Sequence, residues 1–93
     1  MTDFLELGQY LKEKRLSAGF TQSELATELG NVHTQFVSNW ERGMCAPPNH
    51  CFQKLIELLD LNRDKLVKVM LADSKKIIAD KVYAKPKAVK KSV

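Results

Sequence analysis

Five polar side chains, Thr34, Gln35, Ser38, Asn39 and Arg42, recur at helical spacing through the stretch GNVHTQFVSNWERG, residues 30–43. On a helix turning about 100° per residue they share one arc, while Phe36, Val37 and Trp40 gather on the other side. An idle solvent face is usually built of Glu and Lys, which form helices well; Thr, Gln, Ser and Asn form them poorly. A surface helix always has a polar face, but this choice of types points to a chemical use. Gln and Asn each carry a donor and an acceptor in one plane and can grip an adenine edge at N6 and N7. Arg can clamp guanine or a phosphate. Phe36, Val37 and Trp40 are expected to fix this helix on the body of the protein.

Other candidate chemistry is thin. Cys45, Cys51, His33 and His50 lie near one another in the chain, but their spacing fits no familiar zinc pattern. Cys51 reads as a small core residue, and His33 and His50 as cap or surface residues. There is no Ser/His/Asp set, no paired carboxylate in a plausible pocket and no phosphate-binding glycine loop. The expectation is no catalytic residue, no metal, no cofactor and no enzyme.

The elements that must position the polar arc read as all-helical. A first helix covers TDFLELGQYLKEKRLSAG, with Thr2 or Asp3 as its N-cap, Leu7 and Leu11 on one face, and Gly19 as its stop. A second, TQSELATELG, opens on a capping box of Thr21 and Glu24 and ends at Gly30; Leu25, Ala26 and Leu29 form its apolar stripe. The third runs from about His33 to Arg42 and stops at Gly43. Pro47 and Pro48 force a loop. A fourth starts on Asn49 as cap and buries a broad arc of Cys51, Phe52, Leu55, Ile56, Leu58 and Leu59. After a short turn at Asp60 and Leu61, Asn62 caps a fifth, whose inner face is expected at Leu66, Val67, Met70 and Leu71. No Gly or Pro occurs between Pro48 and Pro86, so this helix can continue through Ile77, Ile78, Val82 and Tyr83.

Ninety-three residues with 44% apolar content suit one small globular core. No run of about 18 apolar residues exists, and the first ten lack the basic flank and apolar stretch of a signal peptide. A cytoplasmic protein without membrane contact is expected. The net charge of +4 is uneven: residues 75–93 carry seven lysines against Asp80 alone, whereas residues 1–74 carry eight Lys and Arg against ten Asp and Glu. A basic tail suits a polyanion, and equally a solubilising end. On an acidic body, phosphate contacts fall to local groups: Lys12, Lys14, Arg42 and the helix N-termini.

A capped helix ending at Gly30, a short turn, and a second helix offering a polar face form the helix-turn-helix layout, in which the second helix enters the DNA major groove. Residues 7–71 resemble the lambda-repressor-like (Cro/repressor-type, XRE-like) helix-turn-helix proteins of bacteria and phages. The likeness rests on TQSELATELG, on FVSNWERG, and on the Pro48 loop with LIELLDLNRDKL after it. It implies a five-helix DNA-binding domain. It also implies that Gln22 contacts phosphate and braces the recognition helix, that Thr34 and Gln35 read bases, and that Ser38 and Asn39 act one turn on. Asn39 and the loop through Arg42, Gly43 and Met44 would touch the DNA backbone, and Arg15 would pair internally with Glu41. The chain departs from the pattern at Asn31, which looks like an insertion in the turn, at Lys14, where an apolar residue is common, and beyond Asp73.

The expected organisation is an all-α DNA-binding domain over residues 1–73 and a basic extension over 74–93, part helical and part disordered. The expected function is sequence-specific binding of double-stranded DNA at a palindromic operator, as a homodimeric transcriptional repressor in the bacterial cytoplasm and nucleoid. The alternative is an antitoxin or other protein-interaction module that uses the extension to hold a protein partner.

Overall fold

The computed structural model describes residues 2–84. Five helices follow in order: α1 (Leu5–Ser17), α2 (Gln22–Glu28), α3 (Thr34–Glu41), α4 (Asn49–Leu59) and α5 (Arg63–Tyr83), with no strand among the described residues. No helix there is long and apolar enough to cross a membrane. The all-helical architecture is the one expected. The lysines at 85, 87, 90 and 91 lie outside the described residues.

Local chemistry sets most of the helix ends. Thr21 Oγ1 accepts from the Glu24 amide at 3.0 Å while Glu24 Oε1 accepts from the Thr21 amide at 2.8 Å, so the reciprocal capping box is present. Asn62 Oδ1 caps α5 by accepting from the Lys65 amide. Asp60 ends α4 in the left-handed region. The turn between α2 and α3 holds two successive left-handed residues, Gly30 at φ 96° and Asn31 at φ 62°. Asn is among the few side chains that tolerate this conformation, so the extra turn residue is of the type its backbone demands.

Two caps differ from expectation. Asn49 is the first residue of α4, and Pro48 stands at its cap position. The cap residue of α1 is Phe4, which has no side-chain acceptor to offer. Asp73, far along α5, serves instead: its two carboxylate oxygens accept from the Glu6 and Leu7 amides at 2.9 and 3.0 Å. Asp73 is only 5% exposed, so this is a charged cap supplied across the core. Tyr10 returns the contact, its hydroxyl accepting from the Asn62 amide at the start of α5. Asp73→Ala should therefore lower stability by about 2 kcal/mol, since it orphans one buried and one half-buried N–H donor. The midpoint and slope of urea unfolding test this; an unchanged midpoint excludes the cap.

The core joins Leu7, Tyr10 and Leu11 of α1 to Leu25 and Ala26 of α2, Val37 and Trp40 of α3, and Cys51, Leu55 and Leu59 of α4. Helix α5 enters it with Leu66 and Val69, and Leu61 seals the turn before it. The expected inner face of α5 is thus corrected. Leu66, Val69 and Asp73 face inward, whereas Val67, Met70 and Leu71 are exposed. Cys51 is buried as expected, and burial pushes its thiol above the ordinary value, so it stays neutral. Cys45 is exposed. No group of three or more His, Cys, Asp or Glu residues among the described ones is placed to hold a metal.

Candidate nucleic-acid interface

Helix α3 is fixed from its inner side and from its C-terminal end. Val37 and Trp40 are buried in the core, and Glu41 joins them. Glu41 is drawn inward by Arg15 of α1: Arg15 Nε reaches Glu41 Oε2 at 2.5 Å and Arg15 Nη2 reaches Oε1 at 3.0 Å, a two-pronged ion pair. The remaining guanidinium nitrogen, Nη1, donates to the Phe20 carbonyl at 2.8 Å, which holds the link between α1 and α2. Gln22 Nε2 also donates to Glu41 Oε1, at 3.0 Å. One carboxylate thus gathers α1, α2 and α3. It explains how the two helices of the motif keep a fixed angle with only a short turn between them.

Phe36 departs from its expected role as an anchor. It is 54% exposed. The buried sector of α3 is centred on Val37, Trp40 and Glu41, so the helix is rotated toward the Arg15 pair and Phe36 is carried to the surface. With that rotation, Gln35 and Arg42 lie opposite the core, Asn39 lies beside them, and Thr34 and Ser38 lie on the half-buried flank.

The outward residues are connected. Asn39 Oδ1 accepts from Gln35 Nε2 at 2.9 Å and from Arg42 Nη2 at 2.8 Å. The Gln35, Asn39 and Arg42 side chains therefore form one row along α3, and the arginine brings a positive charge to its end. Pre-ordering of these long side chains lowers the entropy lost when they engage a ligand. The His33 ring caps the helix start, Nδ1 facing the Gln35 amide at 3.5 Å. Of the residues expected to form the site, Gln35, Asn39 and Arg42 come together. Thr34 and Ser38 flank them, and Gln22 is tied to the inner brace rather than to the row. Phe36 is the surface residue that periodicity alone did not single out, because an aromatic beside Val37 and Trp40 reads as core.

Comparison with known proteins agrees with this geometry. Residues 11–66, well over half of the chain, match the family described as "Helix-turn-helix". The chain is also 38% identical over 63 residues to the "HTH-type transcriptional regulator ImmR" of Bacillus subtilis (strain 168), an alignment covering 68% of this chain and 49% of that protein. The chain thus spans about half the length of that relative. No solved structure matches it significantly. A braced two-helix motif that presents a polar row, together with a family match over the same residues, places the chain in the lambda-repressor-like helix-turn-helix family of DNA-binding domains.

Proposed function

We propose that this protein is a sequence-specific transcriptional regulator, acting as a repressor, that reads double-stranded DNA in the major groove with α3. The observation that carries the reading is the linked row of Gln35, Asn39 and Arg42 on a helix held rigid by Glu41. Thr34 and Gln35, at the start of α3, meet base edges. Ser38 and Asn39 act one turn on, and Arg42 and Gln22 meet phosphates. The likeness to a protein named as a transcriptional regulator supports the same role. Selection of bound duplexes from a random pool tests it: one recurring motif is expected, and a pool bound without enrichment overturns it. Binding should weaken steeply with salt, because phosphate contacts release counterions.

Gln35→Ala is then expected to lower affinity for the selected site by about 1–3 kcal/mol and to leave nonspecific binding nearly unchanged. Parallel titrations with selected and scrambled duplexes measure this. An equal fall on both would remove Gln35 from the readers and shift the register set by Asn31.

One motif covers only half of a palindromic operator, so the reading includes a homodimer. Its support is the exposed row Val67, Leu71, Ile78 and Val82 on the outer side of α5, with Ile78 60% exposed and Ser74 between. On this reading residues 74–93 form an extension that clasps the second copy. Ile78→Lys should weaken self-association by more than about tenfold while the domain stays folded. Sedimentation velocity over a concentration series reads this, and an unchanged dimer would rule out that face. The same exposed row also supports the second reading, a protein-interaction module such as an antitoxin. Copurification of a single stoichiometric partner, lost in Ile78→Lys, would favour that one.

A further inference from the structure

We propose that Phe36 is a specificity-determining residue that reads the 5-methyl group of a thymine in the bound site; the inference rests on α3 being the recognition helix. Three features lead to it. Phe36 is the third residue of α3, in the N-terminal turn that reaches base edges when such a helix enters the major groove. It is 54% exposed and immediately follows Gln35. Its ring also borders apolar surface. It flanks an apolar cavity of about 420 Å³ shared with Val32, Trp40 and Pro48, and lies 6.2 Å from the His33 ring at a tilt of 58°.

An exposed aromatic at the edge of a polar reading row has a limited set of DNA partners. Among the base edges of the major groove, the thymine methyl is the apolar group that sets one base apart from the others, whereas sugars carry no sequence information. Phe36 offers no donor or acceptor, so it cannot take part in the hydrogen-bond readout carried by Gln35 and Asn39. What it can do is exclude water from a methyl group. That selects thymine over cytosine, and also over uracil, whose hydrogen-bonding edge is identical.

The test uses the duplex recovered by selection, with each thymine replaced singly by uracil. At one thymine position, loss of the methyl should weaken binding of the wild-type protein about fourfold, the equivalent of roughly 0.8 kcal/mol for one buried apolar carbon. Phe36→Ala should bind the thymine duplex about as weakly as wild type binds the uracil duplex, and should no longer distinguish the two. Phe36→Leu, which preserves apolar bulk beside the cavity, should retain part of the discrimination. In a measurement that needs no variant, 5-iodouracil at that position should photocrosslink wild-type protein at Phe36. If a motif is selected but no uracil substitution matters, the inference fails while the reading of α3 stands. If the crosslink maps to Thr34 or elsewhere, the methyl is read by another side chain and the inference fails. If no motif is selected, both fail together.

Discussion

Arg15→Ala is expected to lower the free energy of unfolding by about 3–5 kcal/mol, and Glu41→Ala by a similar amount. The two residues are only 6% and 8% exposed, and each is the other's charge partner. Removing one leaves a buried ion unpaired, which costs far more than an intact surface pair contributes. Removing Arg15 also orphans the Phe20 carbonyl, and removing Glu41 frees Gln22. A domain of this size has on the order of 5–10 kcal/mol in total, so either variant sits near the edge of folding. Replacing both with apolar residues, Arg15→Met with Glu41→Leu, should recover much of the loss, because no uncompensated charge remains. Urea unfolding of the two single variants and the double variant tests the coupling. Midpoints unchanged in both singles would dissolve the pair.

Gly8→Ala should cost about 3 kcal/mol, or on the order of 15 °C in melting temperature for a domain of this size. The reason is steric. A Cβ on residue 8 would lie 2.5 Å from the Trp40 carbonyl oxygen, 2.8 Å from that of Glu41 and 3.0 Å from the Gly43 nitrogen. All three are backbone atoms, so no side chain can rotate away and α1 must retreat from the end of α3. The retreat would pull on the Arg15–Glu41 pair at the same interface. Alanine forms helices better than glycine by about 1 kcal/mol, which makes the direction of the result informative. A variant as stable as wild type, or more so, would place α1 and α3 farther apart than this.

The parts of the fold legible in the sequence are those set by neighbours in the chain. The Thr21–Glu24 box, the stop at Gly30 and the Asn62 cap depend on residues a few positions apart, and they appear where the pattern puts them. The family likeness carried the Arg15–Glu41 pair, which no periodicity could supply. The rest depended on distant partners. On α3, both Phe36 and Glu41 border the Val37–Trp40 face; hydrophobicity favours burying Phe36, but Arg15 claims Glu41. On α5, Leu66, Val69 and Asp73 compete with Val67, Met70 and Leu71 to face inward. The first set contains a carboxylate and so looks like the surface. It is the inner one because Asp73 meets the open amides of α1 across sequence separations of 67 and 66 residues. On the proposed binding face, the polar row was legible from residue type, while the exposure of Phe36 was not.

The Asp73 tie has a consequence for how the protein opens. An ordinary helix frays from its ends, and its loosening concerns only itself. Here the middle of α5 holds the first turn of α1, and Tyr10 of α1 holds the start of α5. Within one copy, no residue of α5 beyond Asp73 is buried, so those turns can unwind one by one while the tie holds. Once unwinding reaches Asp73, α1 loses its cap, and with it the seating of Gly8 and Arg15 against α3. The helix thus behaves as a ratchet with one stop: graded on its outer turns, all-or-none at the carboxylate. A load or protease acting on the outer turns would leave the seating of α3 intact until that stop gives way, and then dismantle it at once.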